Sequence, residues 1–295
     1  MRQSGLKALL DVDTQCPVDF GDIAADWMRH FIRTACPETW AKLQDCLPLE
    51  PARDWDDVHG APGGVWAYLS LFPRGRTKPE VAVYSTQTLD DFSSSLRSPF
   101  ERASLKLWCL NESGVVDSSS GRSIELVIDV ENSADPAWMQ MSVTTTGGIP
   151  ETDPRNDTAC NRWAMALWEF AEITNPAYGQ VYTDSLSTGW TGLDTALRRG
   201  GRTGSLRERR KFLRGYSWIT VIPDELSERV RGTGESQDIC MLSEVHHFSS
   251  GGLWVRATPH IASFGPPQLE TLFSALKPVL PPGEPKKERM VDFLS

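Results

Sequence analysis

The sequence predicts an α+β fold: a mainly antiparallel sheet with helices packed on one face. Three observations predict it. Apolar spacing switches between a helical period and strand alternation along the chain. Several strand-like runs are separated only by short, turn-prone segments, as hairpins require. In the C-terminal part, strands alternate with helices too loosely for a doubly wound parallel sheet. At 295 residues, 40% hydrophobic with 11 Trp and 11 Phe, the chain can bury a substantial core.

The elements follow in order. From Asp19 to Thr34, Ile23, Trp27, Met28, Phe31 and Ile32 keep helical spacing, and Asp19 with Asp22 favours a helix start. A second helix follows Pro37, carried by Trp40, Leu43 and Leu47, since proline is tolerated in a first turn. Then the period changes. GGVWAYLSLF (Gly63 to Phe72), EVAVYS (Glu80 to Ser85), LKLWCL (Leu105 to Leu110), IELVIDV (Ile124 to Val130) and WMQMSVT (Trp138 to Thr144) read as strands of a meander. Asp157 to Thr174 is the longest helix, capped by Asn156 or Asp157, ended by Asn175-Pro176, and apolar at Cys160, Trp163, Leu167, Trp168 and Phe170.

Beyond it come a strand at Tyr216 to Ile222, a short helix opened by Pro223 and Asp224, and strands at Asp238 to Phe248 and Leu253 to Thr258. Gly251-Gly252 turns the chain between the last two. A final helix opens at Pro266-Pro267 and stops at Pro278. Residues 12–285 read as a single α+β domain, and 286–295 as a charged, flexible tail. Hairpin then helix occurs at Ile124 to Thr174 and again at Asp238 to Lys277, an echo pointing to two related halves that meet near residues 120–150.

Charge and cysteine usage narrow the function classes. A net charge of -9 argues against a nucleic-acid binder and suits a positively charged partner. Between Arg198 and Arg214, eight basic residues face one acid, Glu208, so the remaining chain is more acidic still. We expect that run on the surface, docked partly against acidic segments of the same chain. The six cysteines, Cys16, Cys36, Cys46, Cys109, Cys160 and Cys240, are scattered without a C-x-x-C pair and read as reduced thiols. No run approaches the roughly 20 apolar residues of a membrane span, and the N-terminus lacks a leader pattern, so a cytoplasmic location is expected.

Catalytic patterns are weak. Gly215-Tyr216-Ser217-Trp218-Ile219 is one residue short of G-x-S-x-G, with Asp224, Asp238 and histidines following in hydrolase order. A nucleophile elbow, however, puts its serine after a buried strand and before a helix. Here a charged segment precedes Ser217 and the apolar strand follows it, so Ser217 reads as structural. Gly215 then allows a tight turn, with Tyr216 and Trp218 on one strand face and Ser217 and Ile219 on the other. His246 and His247 point to opposite faces of a strand and cannot share a metal, while Glu244 and His246 share a face but are too few for a site. RGTGES (Arg231 to Ser236) lacks the ending of a phosphate loop. No catalytic residue, metal or cofactor is assigned, and no enzyme is expected; a hydrolase using Ser217 is the less favoured alternative.

PAYGQV after the long helix, RRKFLRGYSWITVIPDELSERVRG, and the closing GGLWVRATPHIASFGPPQLETLFSALKPVLPPG resemble a family of uncharacterised actinobacterial proteins over roughly Asn161 to Gly283. Their order is similar in layout to bacterial polymorphic-toxin and type VI secretion immunity proteins. The resemblance implies a non-catalytic binding protein that neutralises a secreted toxin, possessing a basic domain, in a stoichiometric complex. An accessory or ligand-sensing protein is the other reading. For a protein partner, the expected interface residues are Asp54, Trp55, Asp56 and Asp57 in RDWDDVHG and Trp190 in STGWTG, aromatic anchors within loops, the first ringed by carboxylates.

Overall fold

The structure is a computed structural model that describes residues 5–45, 59–116, 122–131, 137–183, 191–197, 206–232 and 241–283. Its strands are β1 (Lys7–Asp13), β2 (Val65–Pro73), β3 (Glu80–Val83), β4 (Phe100–Cys109), β5 (Ser123–Glu131), β6 (Trp138–Thr146), β7 (Tyr178–Tyr182), β8 (Ile219–Ile222), β9 (Glu244–His247) and β10 (Leu253–Arg256). They form one ten-stranded sheet in the order β3-β2-β4-β5-β6-β1-β7-β8-β10-β9, every neighbouring pair antiparallel. The helices are α1 (Phe20–Ala35), α2 (Pro37–Gln44), α3 (Thr86–Ser95), α4 (Asp157–Thr174), α5 (Gly192–Leu197), α6 (Asp224–Gly232) and α7 (Pro266–Leu276). The architecture is α+β.

Local chemistry explains the long helices. Asp19 caps α1 by accepting from Gly21 N at 2.7 Å, and Asn156 caps α4 by accepting from Thr158 N and Ala159 N. Asn175 ends α4 in the left-handed region, φ 45°, which asparagine tolerates better than most residues. The apolar faces then meet. Phe31 packs against Trp27 at 4.4 Å and Trp163 at 5.5 Å, and Trp27 packs edge-on to Phe170 at 4.9 Å. Burying each such side chain stabilises by about 1.5–3 kcal/mol. Glu151, buried itself, secures α2 from below: its carboxylate accepts from Glu38 N and Thr39 N, both at 2.8 Å, and from Thr39 Oγ1 at 2.7 Å. That carboxylate suits the positive end of a helix.

β1 was not among the expected strands, yet it occupies the middle of the sheet, between β6 and β7. Its side chains divide by parity. Ala8, Leu10 and Val12 enter the core under α1, α2, α3 and α4, whereas Leu9 joins a separate core on the other face. That second core contains Tyr178, Tyr182, Ile222, Leu253 and Val255 from strands, Leu226 and Val230 from α6, and Leu272 and Leu276 from α7. The expectation of helices on one face is therefore corrected. α1 to α4 cover one face of the sheet, and α6 and α7 cover part of the other. The hairpin-then-helix echo is also reinterpreted, because α4 and α7 follow their hairpins onto opposite faces of one continuous sheet.

Candidate functional site

Asp54, Trp55, Asp56, Asp57 and Trp190 lie outside the described residues. The chain next described after the first four is His59, whose ring meets Trp66 edge-on at 4.8 Å. What the structure brings together is a different constellation, on the sheet face that carries α6 and α7.

Its base is a set of buried charges. Asp11 and Asp13 project from β1 between apolar neighbours, 0% and 2% exposed. Unpaired carboxylates there would cost several kcal/mol each, so partners must come from elsewhere in the chain. The basic run supplies them. Arg214, fully buried, pairs with Asp11 through Nη1 and with Asp194 of α5 through Nη2 at 2.8 Å, and its guanidinium lies 5.8 Å from the Tyr178 ring. Gln140 Nε2 donates to the other oxygen of Asp11 at 2.7 Å. Arg210 grips Asp13 with two bonds, 2.8 and 2.9 Å, and reaches Glu225 at 3.0 Å, while Arg209 Nε stands 3.3 Å from Asp13.

These contacts correct part of the expectation for the run. It does dock against acids of the same chain, but Arg209 and Arg214 are buried rather than on the surface; Arg198, Arg199 and Arg202 lie outside the described residues. Electrostatics follow the geometry. Burial pushes the Asp13 carboxyl up, but the hydrogen bonds and charge of Arg210 and the charge of Arg209 outweigh it, leaving it below the usual range. Burial lowers Arg209. Burial also opposes the charge on Arg214, but Asp11 and Asp194 more than reverse that and hold it firmly protonated. The Tyr178 hydroxyl is driven well up by burial, so it is a donor at neutral pH.

Beside this base opens a cleft of about 710 Å³, lined by β7, α5, the segment leading into β8, α7 and the chain that follows α7. Leu193 and Leu197 of α5, together with Phe264, Leu269 and Phe273, give it apolar walls. Leu269 and Phe273 stand on its rim, 41% and 42% exposed. Gln180 of β7 belongs to the wall. It is 3% exposed, its Oε1 accepts from Tyr178 Oη at 2.7 Å, and its Nε2 has no hydrogen-bond partner among the described residues. Gly215, at the start of RGYSW, is small for space: a Cβ there would fall 2.8 Å from Thr191 Cβ and 2.9 Å from Tyr178 Oη. Close approach, rather than the tight turn first expected, demands glycine.

Ser217 also lines the cleft, but its hydroxyl is directed at the backbone carbonyls of Val181 and Ile219, at 2.9 and 2.8 Å, and no histidine side chain bonds to it. Regular strand begins only at Ile219, so Tyr216 and Trp218 do not share a face: Tyr216 packs with the α6–α7 core and Trp218 with the α1–α4 core. Trp218 is fixed by donation from Nε1 to Thr258 O at 2.8 Å and by the Arg256 guanidinium 4.9 Å from its ring. His246 lies 3.7 Å from Glu244, as their shared face requires. Among the described residues no group of three His, Cys, Asp or Glu side chains could hold a metal, and no helix is long and apolar enough to cross a membrane.

With this geometry in place, the fold can be set beside known ones. It is similar to that of the Pseudomonas aeruginosa T6SS protein PA0821, with a TM-score of 0.56 and 14% sequence identity, across 97% of this chain and 77% of that one. At such identity the likeness is one of fold. No family model matches the chain, and no curated protein matches it by sequence.

Proposed function

We propose that this protein acts by binding, as an immunity protein of the type VI secretion kind that neutralises a cognate toxin in a stoichiometric complex. The observation that carries the reading is the fold it has in common with a T6SS protein along 97% of its length. Charge distribution favours the same reading. The buried acids Asp11, Asp13 and Asp194 are answered by Arg209, Arg210 and Arg214 inside the molecule, so these interior pairs leave the acidic excess on the outside. An acidic exterior attracts a basic partner, raising association rate and giving specificity, and aromatic anchors supply the tight part of the affinity. The proposed anchor is Trp55 with Asp54, Asp56 and Asp57, and Trp190 is a second.

The test is protection. Genes adjacent to this one are each expressed alone and together with this chain, and any whose product is toxic alone is taken as the effector. Restored growth and a 1:1 complex on size-exclusion chromatography are expected. Trp55→Ala should weaken that complex by about 2 kcal/mol or more with an unchanged melting temperature. Absence of both protection and complex would overturn the reading.

A further inference from the structure

The cleft beside β7 supports an inference that does not rest on the toxin reading. We propose that it is a binding site for a small, mostly apolar molecule carrying a neutral hydrogen-bond acceptor at its buried end and tolerating a negative charge at its outer end. Size argues first: about 710 Å³ lies within the range of about 300–1,000 Å³ typical of small-ligand pockets. The walls argue next. Leu193, Leu197, Phe264 and Phe273 offer an apolar body its contacts, and the part-exposed Leu269 and Phe273 are apolar surface that a ligand would cover.

Gln180 defines the acceptor. Its Oε1 is taken by Tyr178, whose burial keeps the phenol protonated and hence donating. That bond fixes the amide orientation and leaves Nε2 as the free donor, buried and without a partner among the described residues. A buried donor left unpaired is costly, and a carbonyl, ether or ring nitrogen arriving through the cleft removes the cost. A carboxylate at that depth is disfavoured, because Asp11 and Asp194 already saturate Arg214 next door. Lys277 lies at the solvent side of the lining, and there a negative group is welcome.

Two compounds that differ by one oxygen test this on the full chain. 5-Oxo-5-phenylpentanoate and 5-phenylpentanoate share ring, length and carboxylate, but only the first has a ketone beside the ring. Each is titrated as a competitor of anilinonaphthalene sulfonate, whose fluorescence reports the apolar cleft. Saturable 1:1 dye binding is expected, with displacement by the ketone at about five- to tenfold lower concentration than by its partner, the worth of one hydrogen bond. Gln180→Met should erase that ratio while dye binding persists, and Leu269→Glu, a rim change on an exposed helix face that removes apolar contact and repels anions, should weaken the dye and both compounds in a chain that melts normally. Equal displacement by the two compounds in the unchanged protein would overturn the acceptor assignment. Dye binding indifferent to Leu269→Glu, or no saturable binding, would overturn the site.

Discussion

One row of side chains crosses the sheet and changes character on the way. On the face turned away from α1 to α4, register aligns Arg102 of β4, Asp129 of β5, Gln140 of β6, Asp11 of β1 and Tyr178 of β7. At the β4 end the row is wet: Arg102 and Asp129 approach to 3.5 Å with side chains 54% and 17% exposed. At the other end, under α6 and α7, Asp11 and Tyr178 are fully buried. The same polar pattern on the same face thus belongs to two electrostatic regimes, and the covering layer decides which. Exposed pairs gain little because water competes with them, whereas buried charges depend on their partners and hold the chain to one arrangement.

The largest expected effect sharpens that contrast. Arg214→Ala leaves the Asp11 and Asp194 carboxylates buried with their shared cation gone, and should destabilise by about 3–5 kcal/mol. Urea denaturation with an unchanged slope would measure it. A loss below about 1 kcal/mol would mean that the covered region tolerates charge as the open region does.

A packing prediction comes second. β7, β8 and the first three residues of β10 are buried at every position, while β4 has partly or fully exposed residues at half of its length. A Cβ on Gly179 of β7 would lie 2.8 Å from Leu10 Cδ1 and 3.0 Å from Val221 Cγ2, with helices on both sides of the sheet to resist any shift. Gly179→Ala should cost about 1–3 kcal/mol. Thr144→Val, on the uncovered face, should stay within about 0.5 kcal/mol of the parent. Thermal melts of the two variants compare the regions directly.

This contrast was partly legible in the sequence. α1 and α4 announced themselves because both combine a cap with a dense helical stripe, and the β5–β6 hairpin did so through alternation around a turn. β1 hid because its two faces enter two different cores: Leu9 puts an apolar residue on the face that also carries Asp11 and Asp13, so the period of two is interrupted and only the short run Leu10 to Asp13 keeps it. α3 hid because it offers few apolar residues, Leu89 and Phe92 chief among them, and starts with a Ser85–Thr88 capping box that lacks the usual Glu or Gln. One signal was available and passed over. ITVI in β8 and LWV in β10 are apolar or β-branched throughout, the mark of strands covered on both faces, which is incompatible with helices on one side only. Likewise, acids within LLDVD and a glutamine within YGQVY are polar groups in buried strands that demand partners. The cleft had no local signature, since β7, α5 and α7 are distant in sequence and only the fold assembles them.

Asp13 gives a subtler contrast, read through pH. Burial pushes its carboxyl up, but the hydrogen bonds and charge of Arg210 outweigh that effect and hold it below the ordinary aspartate value of 3.8 in the folded protein. A depressed acid stabilises fully above its unfolded value, and that contribution is lost as pH falls through the folded value. Urea melts from pH 7 to pH 3 should therefore show stability declining below about pH 4, with Asp13→Asn less stable at pH 7 and flatter across the acid range. Parallel acid profiles for the two proteins would contradict the pairing with Arg210.

The smallest expected effect tests the open end of the row. Arg102 and Asp129 sit directly across from one another on β4 and β5, but more than half of the arginine side chain is in solvent, and 3.5 Å is long for a charge-assisted hydrogen bond. Arg102→Ala should cost less than about 1 kcal/mol, and the cost should shrink further in 1 M salt, where screening acts within about 3 Å. Arg214→Ala, by contrast, should show a loss nearly independent of salt, because ions do not reach a fully buried pair. Urea melts of both variants at low and high salt set the two ends of the row on one scale. A salt-insensitive loss at Arg102 equal to that at Arg214 would show that the face is covered along its whole length, and the division into two regimes would fall.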